Sequence, residues 1–302
     1  MEFNKLHLKD KQLFDKYLGQ YKFYTYEYSF TALYLWRNYL NVEFAVNNDY
    51  IVIKKRHSEF GSYFIEPLGY KENELQNIVE ELNKLRVSDN MDNLFRDVEK
   101  PFLDNLINIF GDRIEYFEDE DNFDYIYDTK DLATLIGGKL KKRRTRYNVF
   151  VKNHPNCYVK YINGCEIDYK IIQDCEKLSQ YWYSHEEIKN EELYYEVSGI
   201  MDLFNNIKYL NLKAIAVYCD DKIIGFSIGE NINDETALMY VEKCDKEYDG
   251  AYAYINKTFI QECFYDTKFI NRGEDLGDLG LRQAKMGYRP IKLGRKYIVN
   301  LK

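Results

Sequence analysis

The stretch LKAIAVYCDDKIIGFSIGENIN, residues 212–233, constrains the fold more than any other part of this 302-residue chain. Two apolar runs flank Asp220-Asp221, and an acidic pair between such runs is the turn of a β-hairpin. The residues after this hairpin are equally restrictive. ETALMYVEK reads as a strand, KEYDGAYAYINKTFIQECF as a glycine turn running into a helix, and KFINRGED as a short strand. LGDLGLRQAKMGY is a glycine-punctuated loop and helix, and RPIKLGRKYIVNL a terminal strand. This is an α+β unit in which a helix crosses between neighbouring strands.

The first half repeats the order loosely. LKDKQLFDKYLGQY predicts a helix ending at Gly19, and SFTALYLWRNYL a second helix capped by Ser29. VEFAVNNDYIVIKKR predicts a hairpin turning at Asn47-Asn48, SYFIEPLGY a third strand and ELQNIVEELNKLR an amphipathic helix. SYFIEPLGY leading into KENELQNIVEEL parallels ALMYVEKCDKEYDGAY leading into AYINKTFIQEC. A chain of this length exceeds one ordinary core. Two similar α+β domains are therefore expected, 1–128 and 129–302, with a basic helix over 139–153 linking them.

Composition narrows the chemistry. The formal net charge is −8, which opposes broad nucleic-acid affinity but not a local basic groove. The six cysteines have no Cys-x-x-Cys spacing and no histidines at zinc-finger distance, so no metal site is expected. The start, MEFNKLHLKDKQ, lacks the apolar core of a signal peptide, and no segment approaches the ~20 apolar residues of a membrane span. The expectation is a cytoplasmic protein with reduced thiols.

Three stretches carry candidate chemistry. The order of hairpin, strand, glycine turn, helix and strand is similar to the middle of the GNAT acyltransferase fold. There the turn and the helix behind it offer backbone N–H groups to a pyrophosphate. Here the turn reads Glu247-Tyr248-Asp249-Gly250-Ala251-Tyr252. Gly250 fits a phosphate cradle, while Glu247 and Asp249 oppose one; Gly250 either binds phosphate or only makes a tight turn. In the second stretch, Asn271, Glu274 and Asp275 come directly after a strand, and Arg282 and Lys285 lie on the next helix. Glu274 or Asp275 could accept a proton from an incoming nucleophile, and Arg282 or Lys285 could hold an anion; the alternative is a solvated turn with surface ion pairs. The third stretch is KLKKRRTRYN, residues 139–148, which has six cations and no acid. It is a solvated helix face, a nuclear-localisation string, which this composition disfavours, or a phosphate-facing site. In the last case Leu140, Tyr147 and Val151 pack inward while Arg143 and Arg144 approach Asn271, Glu274 and Asp275.

TYEYSFTALYLWR, FDYIYDTKDLATLIGGKLKKRRTRYNVF and FINRGEDLGDLGLRQAKMGYRP together resemble the signatures of a bacterial family grouped with the C-terminal domain of phosphatidylglycerol lysyltransferases. The resemblance implies two tandem GNAT-like domains, each a mixed sheet flanked by helices, related to Fem-type aminoacyltransferases. Such relatives move an aminoacyl group from a charged tRNA to a lipid hydroxyl or a peptidoglycan-precursor amine. Gly273 departs from the family's Asn-Arg-Glu-Asp/Glu-Asp pattern, and Arg143-Arg144-Thr145 from its Lys-Arg-Asn.

The first expectation is therefore an acyltransferase with no covalent enzyme intermediate. It would transfer an aminoacyl or acyl group to a small-molecule, lipid or peptide acceptor. No cofactor is required; aminoacyl-tRNA or acyl-CoA is the candidate co-substrate. The partners would be an anionic, phosphate-bearing donor or acceptor, with tRNA and peripheral contact with anionic lipid as candidates. A non-catalytic binding protein on the same scaffold and a CoA-dependent N-acetyltransferase are the alternatives.

Overall fold

The computed structural model describes residues 1–47, 49–162, 168–185 and 191–302; Asn48 of the expected hairpin turn lies outside them. The chain forms two compact units, Met1–Asp124 with Gly294–Lys302, and Tyr125–Leu293.

The first unit carries helices α1 (Lys11–Leu18), α2 (Phe30–Trp36), α3 (Leu75–Ser88) and α4 (Lys100–Phe110). Ser29 starts α2, its Oγ accepting the Ala32 N–H at 2.9 Å. Strands β1 (Asn4–Lys5), β2 (Glu43–Asn47), β3 (Tyr50–His57), β4 (Gly61–Phe64), β5 (Phe95–Val98) and β6 (Ile114–Glu118) share a sheet with the last strand of the chain, β14 (Tyr297–Leu301). The order is β1-β2-β3-β4-β5-β14-β6. β4 and β5 run parallel, in register at Phe64↔Phe95. Lys296, fully buried, reaches Glu27 Oε1 and Asp124 Oδ1, each at 2.7 Å.

This arrangement corrects the expected boundary. Residues 294–302 belong to the first unit, not to a domain 129–302, and the other break falls at Asp124/Tyr125. The reason lies in β14, whose alternating Tyr297, Val299 and Leu301 are buried with Leu82, Leu103 and Leu106 of the first core. The expected terminal strand is two, β13 (Lys292–Gly294) and β14, which join different sheets.

The second unit contains β7 (Asp124–Asp128), β8 (Cys157–Ile162), β9 (Lys213–Cys219), β10 (Lys222–Asn231), β11 (Thr236–Cys244), β12 (Phe269–Asn271) and β13, in the order β13-β7-β12-β11-β10-β9-β8. Its helices are α5 (Thr129–Thr134), α6 (Lys141–Asn153), α7 (Tyr169–Ser184), α8 (Glu191–Asn205), α9 (Ile207–Leu210), α10 (Ala251–Cys263) and α11 (Leu279–Met286). The hairpin turns at Asp220 and Asp221, both at positive φ (49° and 62°), as a tight two-residue turn requires. Both units have the expected mixed sheet flanked by helices.

Helix α6 is not a linker. It lies within the second unit, where buried Phe150 packs on α10 and Tyr147 stacks on Tyr254 with ring centroids 5.8 Å apart. The inward stripe runs Arg143, Tyr147, Phe150, His154; Leu140 is buried just before the helix, and Val151 is exposed. The expectation of reduced thiols also fails at one pair. Cys157 and Cys219 face each other in the β8–β9 register, with Cα atoms 4.1 Å apart, and are joined by a disulfide. Cys175 and Cys244 are buried free thiols. No described helix is long and apolar enough to cross a membrane.

Candidate functional site

The site forms where two parallel strands of the second unit part. β11 and β12 are in register from Thr236↔Phe269 to Leu238↔Asn271. Beyond that point the chain stays with β7: the Arg272 N–H donates to Tyr125 O and the Tyr125 N–H to Gly273 O, both at 3.1 Å. β11 continues to Cys244. Across the resulting gap, Arg272 Nη2 donates to Glu242 Oε1 at 3.0 Å. From α10, Asn256 Nδ2 donates to Glu242 Oε2 at 2.9 Å.

A bulge aims Glu242 at this gap. Opposite β10, Ile228 pairs with Val241 and Gly229 with Met239, so the register steps over Tyr240. The extra residue flips the alternation, and Glu242 shares a face with Met239, whose Sδ lies 3.9 Å from Asn256 Nδ2. Lys243 takes the other face, against Glu196 of α8 at 2.8 Å and over the Trp182 ring at 3.4 Å. Arg272 lies 4.7 Å from the Tyr288 ring centre and 5.8 Å from that of Tyr127. Among the described residues, Arg272 Nη1 and Asn256 Oδ1 are buried without a hydrogen-bond partner. This centre thus keeps one cationic donor and one acceptor beside a carboxylate, enough to orient a polar substrate group and take its proton.

The expected residues divide into those at this centre and those that build its walls. Asn271 Oδ1 accepts the Gly273 N–H at 2.7 Å and fixes the turn where the strands part. Asp275 is buried. Its carboxylate accepts from Arg282 Nε (2.8 Å) and Nη2 (2.7 Å), from the Gly277 N–H (2.9 Å) and from the Tyr125 hydroxyl. Burial opposes its ionisation, but bonds from Arg282, Tyr125 and Gly277 prevail and hold it below the usual carboxylate range. Burial and this bond push the Tyr125 hydroxyl up to about 12. Lys285 is buried and donates to the carbonyl oxygens of Arg272 (2.7 Å) and Glu274. Glu274 is half-buried. Glu192 of α8 is raised from the ordinary value by burial first, then by the charges of Glu196 and Glu274.

Arg143 reaches this region. It donates to Ala284 O at 2.8 Å and lies 4.5 Å from the Tyr288 ring centre, so Tyr288 has guanidinium groups from both Arg143 and Arg272 against it. Arg144 does not reach it. Its Nη1 donates to Leu135 O at 2.7 Å and Gly137 O at 3.1 Å, closing the turn after α5. Gly250 precedes α10 at φ 86°. A Cβ there would lie 2.7 Å from Arg146 O and 3.0 Å from Phe150 Cβ. Its conformation and its smoothness let α6 cross close to the turn, so α6 occupies the space beside it. No group of three or more metal-ligating side chains occurs among the described residues.

A profile described as "Phosphatidylglycerol lysyltransferase, C-terminal" matches residues 18–300. The chain belongs to this family. A conserved protein of unknown function from Bacteroides thetaiotaomicron is similar over 100% of both chains, with 30% identity and a TM-score of 0.89. The structure of L-PGS from Bacillus licheniformis shares the fold at 13% identity and a TM-score of 0.62, over 96% of this chain and 91% of that one. An uncharacterized protein of Mycoplasmoides gallisepticum is 27% identical over 186 residues, covering 60% of this chain and 57% of the relative's length. Membership in the lysyltransferase C-terminal family thus rests on nearly the whole chain, including the strand, turn and helix that build the Glu242–Arg272 centre.

Proposed function

We propose that this chain is an acyltransferase. In this reading an acceptor amine or hydroxyl attacks the carbonyl of an activated aminoacyl or acyl donor directly, with no covalent enzyme intermediate. A new carbon–nitrogen or carbon–oxygen bond forms and the donor's own bond to the acyl carbon breaks. The acceptor's proton passes to Glu242 and from there to the leaving group. Arg272 Nη1 stabilises the negative charge that develops on the carbonyl oxygen.

The observation that carries this reading is the Glu242–Arg272–Asn256 centre in the gap between β11 and β12, with its unpaired donor and acceptor. Family membership supports the reaction class. Glu242 replaces Asp275 as the proton acceptor, because the Asp275 oxygens are held by Arg282, Gly277 and Tyr125. Glu274 lies close enough to the site's wall for its charge to act on Glu192 of α8, and in this reading it bears on the acceptor's approach. Arg143 serves the site through Tyr288, whereas Arg144 is structural.

An aminoacyl-tRNA suits the donor role better than acyl-CoA, because α6 crowds the Gly250 turn that would otherwise cradle a pyrophosphate. That donor would confine the reaction to the cytoplasm. No bound cofactor takes part in it. The acceptor carries an anionic or hydroxylated head, as a phosphatidylglycerol does.

The experiment is a transfer assay with radiolabelled aminoacyl-tRNA and, in parallel, acetyl-CoA, each offered phosphatidylglycerol vesicles, amines and short peptides as acceptors. Label should move from the aminoacyl-tRNA, and Glu242→Gln should stop it. Transfer from acetyl-CoA alone would make the chain an N-acetyltransferase. Ligand binding with no transfer from any donor would make it a binding protein.

A further inference from the structure

Strand β6 ends the first sheet on one side: it pairs with β14, and among the described residues no strand lies beyond it. The register fixes what that open side offers. The Asp119 N–H donates to Lys296 O and the Lys302 N–H to Arg113 O, so the odd-numbered residues from Arg113 to Asp119 turn their backbone groups toward β14. Tyr116 and Glu118 lie between them and turn their N–H and C=O groups to the open edge. The side chains of Tyr116 and Phe117 take opposite faces of the sheet, and both are exposed, to 48% and 56%. Proteins protect sheet edges with short strands, lysines or prolines. The two-residue β1 at the other end of this sheet is protected by its length. The five-residue β6 has neither lysine nor proline and carries two exposed aromatic rings.

The surrounding charge identifies the partner. Residues 112–121, DRIEYFEDED, hold six acids and one base. Glu115, Glu118, Glu120 and Asp121 are exposed. Asp119 is held by Arg96 at 2.6 Å, and Glu118 has Arg295 at 2.8 Å. The base, Arg113, lies 5.4 Å from the Phe110 ring centre. This much negative charge repels polyanions. A second copy pairing through β6 would lay two such acidic stretches side by side, and like charges on facing strands repel.

We propose that the outer edge of β6 receives an extended, lysine- or arginine-bearing segment of another protein as an added strand. The outward backbone groups of Tyr116 and Glu118 pair with that segment. Its apolar side chains lie beside the Tyr116 and Phe117 rings, and its cations meet the exposed carboxylates. The edge belongs to the first unit, so this docking stands apart from the transfer reaction proposed for the second.

The test is fluorescence anisotropy of a labelled peptide of alternating lysine and valine with the full chain, at ~0.1 M salt and above. The peptide should bind, more weakly as salt rises. The same peptide methylated on each backbone nitrogen keeps its charge but cannot form the ladder, and should bind at least about tenfold more weakly. Tyr116→Pro removes an outward N–H and no bond to β14, so it should fold like the parent and bind the peptide about tenfold more weakly. Phe117→Ser and Glu115→Gln should each lower affinity roughly threefold. Circular-dichroism melts matching the parent's establish that the variants fold, and Phe117→Ser decides alone if the proline variant does not. Failure of the parent chain to bind the peptide would overturn the proposal. So would equal binding of the methylated peptide, which reduces the attraction to bare charge, or undiminished binding to the folded variants. A dimer that Tyr116→Pro dissociates would assign the edge to a second copy instead.

Discussion

Arg272 and Glu242 meet at 3.0 Å across the gap that opens where β12 leaves β11. The two residues are thirty apart in sequence, Glu242 on β11 and Arg272 just past β12, strands that pair for only three registered positions. If Glu242 takes the acceptor's proton, Glu242→Gln keeps the size and the bond to Arg272 but loses the base. Turnover should fall roughly 100- to 10,000-fold with donor affinity little changed. Single-turnover kinetics beside a donor-binding isotherm separates the two.

Asp275 should govern stability rather than turnover. Its folded carboxyl titrates below the ordinary value, so the stabilisation is complete above ~3.9 and is lost as the pH falls through the lower folded value. Asp275→Asn should cost about 2 kcal/mol near neutrality, since it weakens a buried ion pair whose Arg282 partner is partly solvated. Denaturant unfolding of both proteins from neutral to strongly acidic pH should show the difference shrinking toward the acid end.

Gly250→Ala combines a left-handed backbone with the close approach of the Arg146 carbonyl. The change should destabilise the chain by about 2 kcal/mol. A urea titration monitored by tryptophan fluorescence measures it. A gain in acetyl-CoA affinity on this change would contradict the structural role assigned to the glycine.

Glu66 offers a pH effect of the opposite sign. Burial, and then the Glu99 carboxylate, push its carboxyl up to about 8. Glu99 Oε1 already accepts from the N–H groups of Tyr24 and Thr25 and from the Thr25 hydroxyl, which anchors its charge beside Glu66. A folded state that holds the proton more tightly than the unfolded chain loses stability as pH rises from ~4.3, and the loss levels off above the folded value. Unfolding free energy should therefore decline between those limits, and Glu66→Gln should flatten the decline. Thermal melts across that range would refute the idea if the variant and the parent ran parallel.

Local signals were legible in the sequence. Ser29 announces its helix because its side chain satisfies a nearby N–H, and Asp220-Asp221 announces a turn because acidic residues tolerate positive φ. Asn271, Glu274, Asp275, Arg282 and Lys285 do share one neighbourhood, since strand, turn and helix are consecutive. Glu242 was not legible. Strict alternation along ALMYVEK puts it on the face opposite Met239, and only the register shift at Tyr240 reverses that. Arg143 and Arg144 are adjacent and chemically identical, yet one reaches Tyr288 and the other caps a turn. Their division depends on the roll of α6 against α10, which is fixed by Phe150 and the bare Gly250. The destination of β14 was hidden for a similar reason, because alternation specifies a half-buried strand but not which sheet receives it.

The return of β14 to the first sheet sets the order in which the chain can mature on a ribosome. Tyr125–Leu293 emerges whole before Lys296 and β14 do. Until then Glu27 and Asp124 have no Lys296 ammonium between them, and β5 and β6 lack the strand that joins them. The inserted unit is the one that can close first, and the segment that precedes it must wait for β14 before its own sheet is continuous.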